Sequence, residues 1–298
     1  MKAVLISEHG GRDKLVLQSV REPAARDHEL VIKVGAVALN HLDIFVREGT
    51  RGTPISLPRI AGGDVAGIVV DKGHFVDGVE VGQRVVLDPA VVLSDNTLGG
   101  LGDHIDGGLA EYLSIPSDNA IKLPKEVSFN VAAALPMSYA TAWRMLTVRG
   151  LIQNGESVLI LGASGGVGTA AIQIAKMFGC TVYAASNSDI KLGKLAELGI
   201  DFPINYDRCP EFHREIRGLT DGDGVDVVVN FTGGDSWVRS LKAVKYGGRI
   251  LTCGSTSDFI TKTDIRYIWR REMNIIGSDG WQRGDIVDLI ELVRQGII

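Results

Sequence analysis

Through the first 123 residues the apolar positions fall into short runs rich in Val, Ile and Leu: "LVLQSV", "ELVIKVGAVAL", "DVAGIVVDKG", "QRVVLDPAV" and "LAEYLSI". Each run is stopped by Gly, Asp or Pro, the pattern of strands separated by turns. This part is predicted to be an irregular, barrel-like β domain. The stretch "IKLPKEVSFNVAAALPMSYATAWRML" is helical in composition, with a break expected at Pro136. Beyond it the rhythm changes. The runs "SVLIL", "TVYAA", "VDVVVN", "RILTC" and "NIIGS" are apolar at nearly every position and alternate with helical stretches such as "KLGKLAELG", "SWVRSLKAVKYG" and "DIVDLIELVRQG". Strands without polar alternation are buried on both faces, which predicts a parallel sheet covered by helices. The expected division is a β domain over 1–123 and a doubly wound α/β domain over 124–298, with no internal repeat and no low-complexity linker.

In "LILGASGGVGTAAIQIAKMFGCTVYAASNSDIKL" a glycine turn joins an apolar run to a helical one. The turn holds Gly162, Ser164, Gly165, Gly166, Val167 and Gly168, and the helix after it has Val167, Ala171, Ile174, Ala175 and Phe178 on one face. Glycines there let the backbone approach a pyrophosphate, whose charge rests on free amides at the positive end of the helix. The alternative is a tight structural turn. Strand, turn, helix and second strand all agree with dinucleotide binding.

Ser186 ends the second strand, where a carboxylate would bind the ribose hydroxyls of NAD. A carboxylate would repel a 2′-phosphate by about 4 kcal/mol per charge pair at 4 Å in an effective dielectric near 20. Serine removes that repulsion. Asn187 and Ser188 add neutral donors and Lys191 a cation, a set suited to a phosphate, so NADPH is the expected cofactor. Otherwise Lys191 is an ordinary solvated helix residue.

Composition narrows the partners. The 298 residues are 45% hydrophobic and 22% charged, with a formal net charge of -5. An acidic chain gives no electrostatic reason to expect nucleic acid or an anionic membrane, so a small-molecule substrate is expected. "MKAVLISEHGG" starts a strand-like alternation without a leader pattern, and the expected location is cytoplasmic. Cys180, Cys209 and Cys253 are odd in number and far apart, which argues for reduced structural thiols.

The order of the two domains, with "VALNHLDIFVREG", "IAGGDVAGIVV", "VEVGQRVV", "GGLAEYLSIP" and "LILGASGGVGTAAIQIAK", resembles the medium-chain dehydrogenase/reductase superfamily over essentially the whole chain. The likeness is strongest to its zinc-free quinone oxidoreductase branch, although "LGDHIDGGLAEY" resembles the zinc alcohol dehydrogenases. It implies a GroES-like β domain and a Rossmann domain. The superfamily's zinc enzymes hold their metal with Cys, His and Cys; at the matching positions stand Asn40, Gly63 and Met137, none of them a zinc ligand. The lobe that carries a structural zinc in relatives corresponds to "DPAVVLSDNTLGGLGDHIDGG", which has no cysteine. His41 and His104 read as isolated surface or hydrogen-bonded residues. No metal site is expected.

Without a Lewis acid to stabilise an alkoxide, the easier reaction is hydride delivery to a conjugated carbon, such as an enone or a quinone ring. By resemblance, Asn40 and Asp43 lie at the catalytic cleft, Asn40 as a donor to the substrate carbonyl and Asp43 as organiser of its network. The residues themselves are equally consistent with a turn scaffold, and Phe45 with a pocket wall or with core. The resemblance also places Thr141 near the nicotinamide and Tyr206 near the 2′-phosphate, while Asn230 and Gly254 end successive strands, where open sheets bind ligands. Cys253 reads as packing. Arg266, Arg270 and Arg271 could meet an acyl-CoA phosphate but read first as a solvated helix face. The rival functions are an enoyl-CoA reductase of the same superfamily and a non-catalytic NADPH-binding protein, as in lens crystallins that resemble this branch. Relatives commonly form homodimers, and they continue past the helix that matches "DIVDLIELVRQGII" to complete the β domain, so a longer native chain is expected, the alternative being a short form that seals the gap by association.

Overall fold

The computed structural model describes residues 1–49 and 55–298. The chain divides into two compact units, one of Met1–Met137 with Ile286–Gly296, the other of Ser138–Asp285 with Ile297–Ile298.

The first unit is built on a five-stranded antiparallel sheet in the order Ala120–Lys122, Arg84–Leu87, Asp64–Lys72, Glu29–Ala38, Tyr112–Pro116. Leu30, Ile32, Val65, Val69, Val85 and Leu87 fill its core. The pairing of the two long strands slips between Val31 and Ile32 and between Val34 and Ala36, and such bulges bend a strand and increase its twist. Leu15–Ser19, Lys2–Ile6 and Arg59–Ile60 form a smaller sheet, and Ala90–Val92 with Leu98–Gly100 a hairpin.

The second unit holds a six-stranded parallel sheet in the order Phe202–Asn205, Thr181–Ser186, Ser157–Leu161, Val225–Val229, Val244–Thr252, Asn274–Gly277. The apolar runs are explained residue by residue. Val158, Ile160, Val182 and Ala184 point into one helix-covered layer, and Leu159, Leu161, Tyr183 and Ala185 into the other. Helix Gly166–Met177 buries Ala171, Ile174 and Ala175, with Val167 and Phe178 partly buried against the same layer. Strand order reverses beside Ser157–Leu161, which sits between the second strand and the fourth. That reversal is where a doubly wound sheet opens a ligand crevice. The fold is therefore the two-domain α/β architecture expected from the pattern. No helix among the described residues is long and apolar enough to cross a membrane.

Two local expectations are corrected. Pro136 does not break the helical stretch: Phe129–Ala133 is followed by a π-helical segment Leu135–Ala140, the short helix Thr141–Trp143 and a second π-helical segment Arg144–Arg149. Proline has no N–H to give, and the Met137 N–H bonds the Asp64 carboxylate, so the wider turn absorbs what an α-helical ladder could not. "VKYG", read as the end of a helix, instead begins strand Val244–Thr252.

Gly67 lies where the two long strands pair. A Cβ there would collide with the Lys33 carbonyl oxygen. Gly67→Ala is expected to lower stability by about 1–3 kcal/mol, the usual cost of overpacking, read as a lower urea midpoint with an unchanged m-value.

Candidate active site

In the first unit the helix His41–Glu48 starts at Asn40, whose extended backbone makes it the N-cap. The Asn40 N–H donates to Asp43 Oδ2 at 2.7 Å, and Asp43 Oδ1 accepts from the Gly62 N–H at 2.9 Å. Asp43 thus ties the helix start to the backbone before Asp64. The Asn40 side chain donates through Nδ2 to Asp64 Oδ2 at 2.8 Å, and the Met137 N–H donates to the two Asp64 oxygens at 3.1 and 3.3 Å. Asp64 is only 1% exposed. Burial pushes its pKa up to about 8, against the hydrogen bonds from Asn40 and Met137, and the nearby Asp43 charge adds to the rise. Burial also raises Asp43, opposed by the N–H groups of Asn40 and Gly62.

The structure brings together Asn40, Gly63 and Met137, the three positions that the sequence resemblance matched to zinc ligands. Asn40 and Met137 share Asp64 as acceptor, and a Cβ on Gly63 would stand 2.5 Å from Met137 Cε and 2.7 Å from the Leu101 carbonyl oxygen. A methionine methyl and a backbone carbonyl fill the volume a histidine would need. Among the described residues no three His, Cys, Asp or Glu side chains are grouped to hold a metal. His41 is exposed and meets Phe45 edge-on at 5.0 Å between centroids, and His104 contacts Asp103 at 2.7 Å.

In the second unit the glycine turn has the geometry a pyrophosphate requires. Gly162 is left-handed at φ 65°, and helix Gly166–Met177 begins after Gly165 with no side-chain cap on its first N–H groups. A Cβ on Gly168 would stand 2.5 Å from the Gly162 carbonyl oxygen and 2.6 Å from that of Ala163, so only glycine lets helix and strand approach this closely. Val167 packs beneath the helix. Ser164 Oγ lies 3.2 Å from Ser186 Oγ, which joins the turn to the end of the second strand. Ser186 is buried, while Asn187 and Lys191 are exposed, with Lys191 Nζ donating to Asn187 Oδ1 at 3.4 Å.

Two cavities of this unit open at the C-terminal ends of its strands. One, of about 370 Å³, is lined by Leu161, Tyr206, Thr232, Ser236 and Arg239. The other, of about 550 Å³, is lined by Arg144, Arg149, Cys253, Gly254 and Ser278. Thr141 is buried in the short helix Thr141–Trp143. Asn230 is also buried, and its amide is fully engaged: Nδ2 donates to the hydroxyls of Ser236 and Ser240, and Oδ1 accepts from the N–H groups of Thr232 and Gly233. It shapes the cavity wall by organising the loop after its strand. Burial pushes the Cys253 thiol up to about 12, in keeping with packing. Arg266 is bound to Asp264, and Arg271 donates to three backbone carbonyls, so these two arginines act locally.

Sequence reasoning missed Asp64 and Ser278. The signal for the first was a carboxylate at the head of an apolar strand, in "AGGDVAG". Ser278 is buried at 6% exposure with an unpartnered hydroxyl at its cavity, and nothing in "IIGSDG" marks it.

Residues 26–125 match the family model of the alcohol dehydrogenase GroES-like domain and residues 166–295 that of the zinc-binding dehydrogenase. The chain is 30% identical over 278 residues to human quinone oxidoreductase, covering 93% of this chain and 79% of that protein. It is 36% identical to 2-methylene-furan-3-one reductase of Solanum lycopersicum, covering 84% and 61%. It is 34% identical to a phenolphthiocerol/phthiocerol polyketide synthase of Mycobacterium tuberculosis, covering 84% of this chain and 11% of that far longer protein. A crystal structure described as an NAD-dependent alcohol dehydrogenase superposes with a TM-score of 0.92 at 33% identity, covering 100% of this chain and 90% of that one. The chain belongs to the medium-chain dehydrogenase/reductase superfamily, in its quinone oxidoreductase-like branch. The named relatives are oxidoreductases that act on small molecules.

Asp64 supplies a pH signature. Its folded-state pKa lies above the ordinary 3.8, so its share of stability is complete below about pH 4 and is lost as pH rises through about 8. Thermal melts of Asp64→Asn are expected to lack the fall that the unaltered protein shows across that window. Parallel pH profiles for the two proteins would contradict this.

Proposed function

We propose that the protein is a zinc-independent, NADPH-dependent reductase of quinones or α,β-unsaturated carbonyl compounds. The observation that carries this reading is that the positions matched to the relatives' zinc ligands hold an asparagine, a glycine and a methionine, with the Asn40 amide and the Met137 N–H both bonded to the buried Asp64 carboxyl group. An amide and a thioether are poor zinc ligands, and Gly63 brings no donor at all. A substrate that already carries a conjugated carbonyl needs only a hydrogen-bond donor to stabilise the developing charge.

In this reading the first unit contributes Asn40 as that donor, with Asp64 fixing its amide and Asp43 fixing its backbone. The second unit holds the cofactor. Gly162, Ser164, Gly165, Gly166, Val167 and Gly168 receive the pyrophosphate, Thr141 and Gly254 the nicotinamide end, and Ser186, Asn187, Lys191 and Tyr206 the 2′-phosphate, with Asn230 shaping the wall between. NADPH, when bound, supplies the hydride.

A second reading, an enoyl reductase acting on a thioester, is favoured by the likeness to part of a polyketide synthase. Comparing a free enone with its CoA thioester separates the two.

Three outcomes test the proposal. NADPH is expected to bind at least about tenfold more tightly than NADH, a difference of about 1.4 kcal/mol, and Lys191→Glu to reverse the order; equal dissociation constants would falsify it. Asn40→Ala is expected to lower kcat for an enone by about 10²-fold while leaving the NADPH dissociation constant unchanged, the effect of removing one donor to a developing oxyanion. Elemental analysis is expected to find no stoichiometric zinc, and chelators to leave the rate unchanged. Zinc at one per chain, lost together with activity on chelation, defeats the reading.

A further inference from the structure

The turn assigned to the 2′-phosphate contains a carboxylate. Asp189 begins helix Asp189–Leu195, between Asn187 and Lys191, and a free negative charge there would oppose a phosphate. The carboxylate is held from the next strand's turn. Asn205 Nδ2 donates to Asp189 Oδ1 at 2.6 Å, and the Arg208 guanidinium forms an ion pair with the same side chain. Asn205 also shapes the turn that presents Arg208, because its Oδ1 accepts from the N–H groups of Asp207 at 3.0 Å and Arg208 at 3.3 Å. The Tyr206 N–H donates to the Ser186 carbonyl at 3.1 Å, which joins this turn to the end of the second strand. These bonds fix Asp189, Arg208, Tyr206 and Ser186 as one assembly.

Stability does not account for the ion pair. The Asp189 and Arg208 side chains are 48% and 76% exposed, and exposed pairs contribute little to folding. The charge sum in the turn is a different matter. With Arg208 engaged, Asp189 is neutralised and Lys191 is left as the net charge; without Arg208, Asp189 cancels Lys191.

We propose that Arg208, clamped on Asp189 and positioned by Asn205, is a specificity-determining residue that makes the 186–191 turn cationic and so selects the phosphorylated dinucleotide. The proposal rests on the NADPH reading above. It concerns discrimination between cofactors, since the pair lies among groups assigned only to the 2′ substituent.

The test measures dissociation constants of NADPH and NADH by cofactor fluorescence, at low ionic strength and again at high salt, for the unaltered chain, Arg208→Ala, Arg208→Lys and Arg208→Ala with Asp189→Asn. Arg208→Ala is expected to weaken NADPH by about 3- to 10-fold and NADH by less than about twofold, with the difference shrinking at high salt, as expected of screened surface charges. Arg208→Lys is expected to keep the preference, and the double variant to restore it. Melting temperatures report folding, and the lysine and double variants keep the test decisive if Arg208→Ala is unstable. An unaltered protein that prefers NADPH beside an Arg208→Ala protein with the same preference overturns this proposal alone. Equal weakening of both cofactors, or a double variant that stays weak, also overturns it. An unaltered protein without NADPH preference removes the NADPH reading and this proposal together.

Discussion

The site in the first unit depends on burying one carboxyl group. Asp64 lies at the head of a strand whose next residues, Val65 and Ala66, are buried, and its two oxygens must be satisfied by what surrounds them. The donors come from opposite directions in sequence: the Asn40 amide, 24 residues earlier, and the Met137 N–H, 73 residues later. Meeting that demand decides local structure at both ends. Asn40 must stand at a helix start, where its side chain both accepts from the Asp43 N–H in a capping box and donates to Asp64. Met137 must release its N–H from the helix it belongs to, which a π-helical segment containing Pro136 allows. The site's architecture follows from the cost of leaving a buried carboxyl group unpaired.

A second constraint, steric and independent of charge, governs the nucleotide unit. The parallel sheet can be covered on both faces only if its strands are apolar on both, which uses up every inward position of Ser157–Leu161 and Thr181–Ser186. Polar groups for a ligand must then come from the turns at the strand ends. Gly168 lets the first helix approach its strand closely enough for its amides to reach past the sheet edge, and Ser164 binds Ser186 across the gap. Asn230 shows the cost of that arrangement. A polar group that deep at a strand end must satisfy its own hydrogen bonds first, and it uses them on the loop and the helix that follow it.

What was legible in the sequence follows from this division. Both-face burial leaves unbroken apolar runs, so the four central parallel strands could be read; Asn274–Gly277, expected to be buried on both faces, is instead a largely exposed edge strand. Phe202–Asn205, one of the two edge strands, could not be read: it is short, contains Pro203 and buries only Ile204. The glycine turn was legible because backbone approach demands glycine itself. The Asp64 network was not, since its partners are an amide and a main-chain N–H far apart in the chain, and nothing local to "AGGDVAG" says that an aspartate there faces inward. Pro136 misled for a related reason. Its breaking tendency is real, but the relief came from a hydrogen bond that only tertiary structure could supply. Lys191 was visible as a cation, whereas the neutralisation of Asp189 by Arg208 joins residues 19 apart across two turns.

The match to a zinc-binding dehydrogenase model bears on fold more than on metal. The model covers residues 166–295, and the three positions that decide a catalytic zinc, 40, 63 and 137, all lie outside that span. The matched region is the nucleotide-binding part, whose constraints are the glycine turn and the doubly covered sheet, and these are indifferent to what the other unit does with its substrate. A superfamily can therefore keep one unit's geometry while the other changes its chemistry. In the zinc-independent reading proposed above, three positions act together: Gly63 brings no ligand, Met137 Cε and the Leu101 carbonyl crowd the place of its missing side chain, and the Asn40 amide is held by Asp64. Restoring a cysteine at position 40 alone would remove the amide that satisfies Asp64 and add a thiol with no second ligand beside it. In that reading the network is a coupled alternative to a metal centre, and one substitution would not convert it.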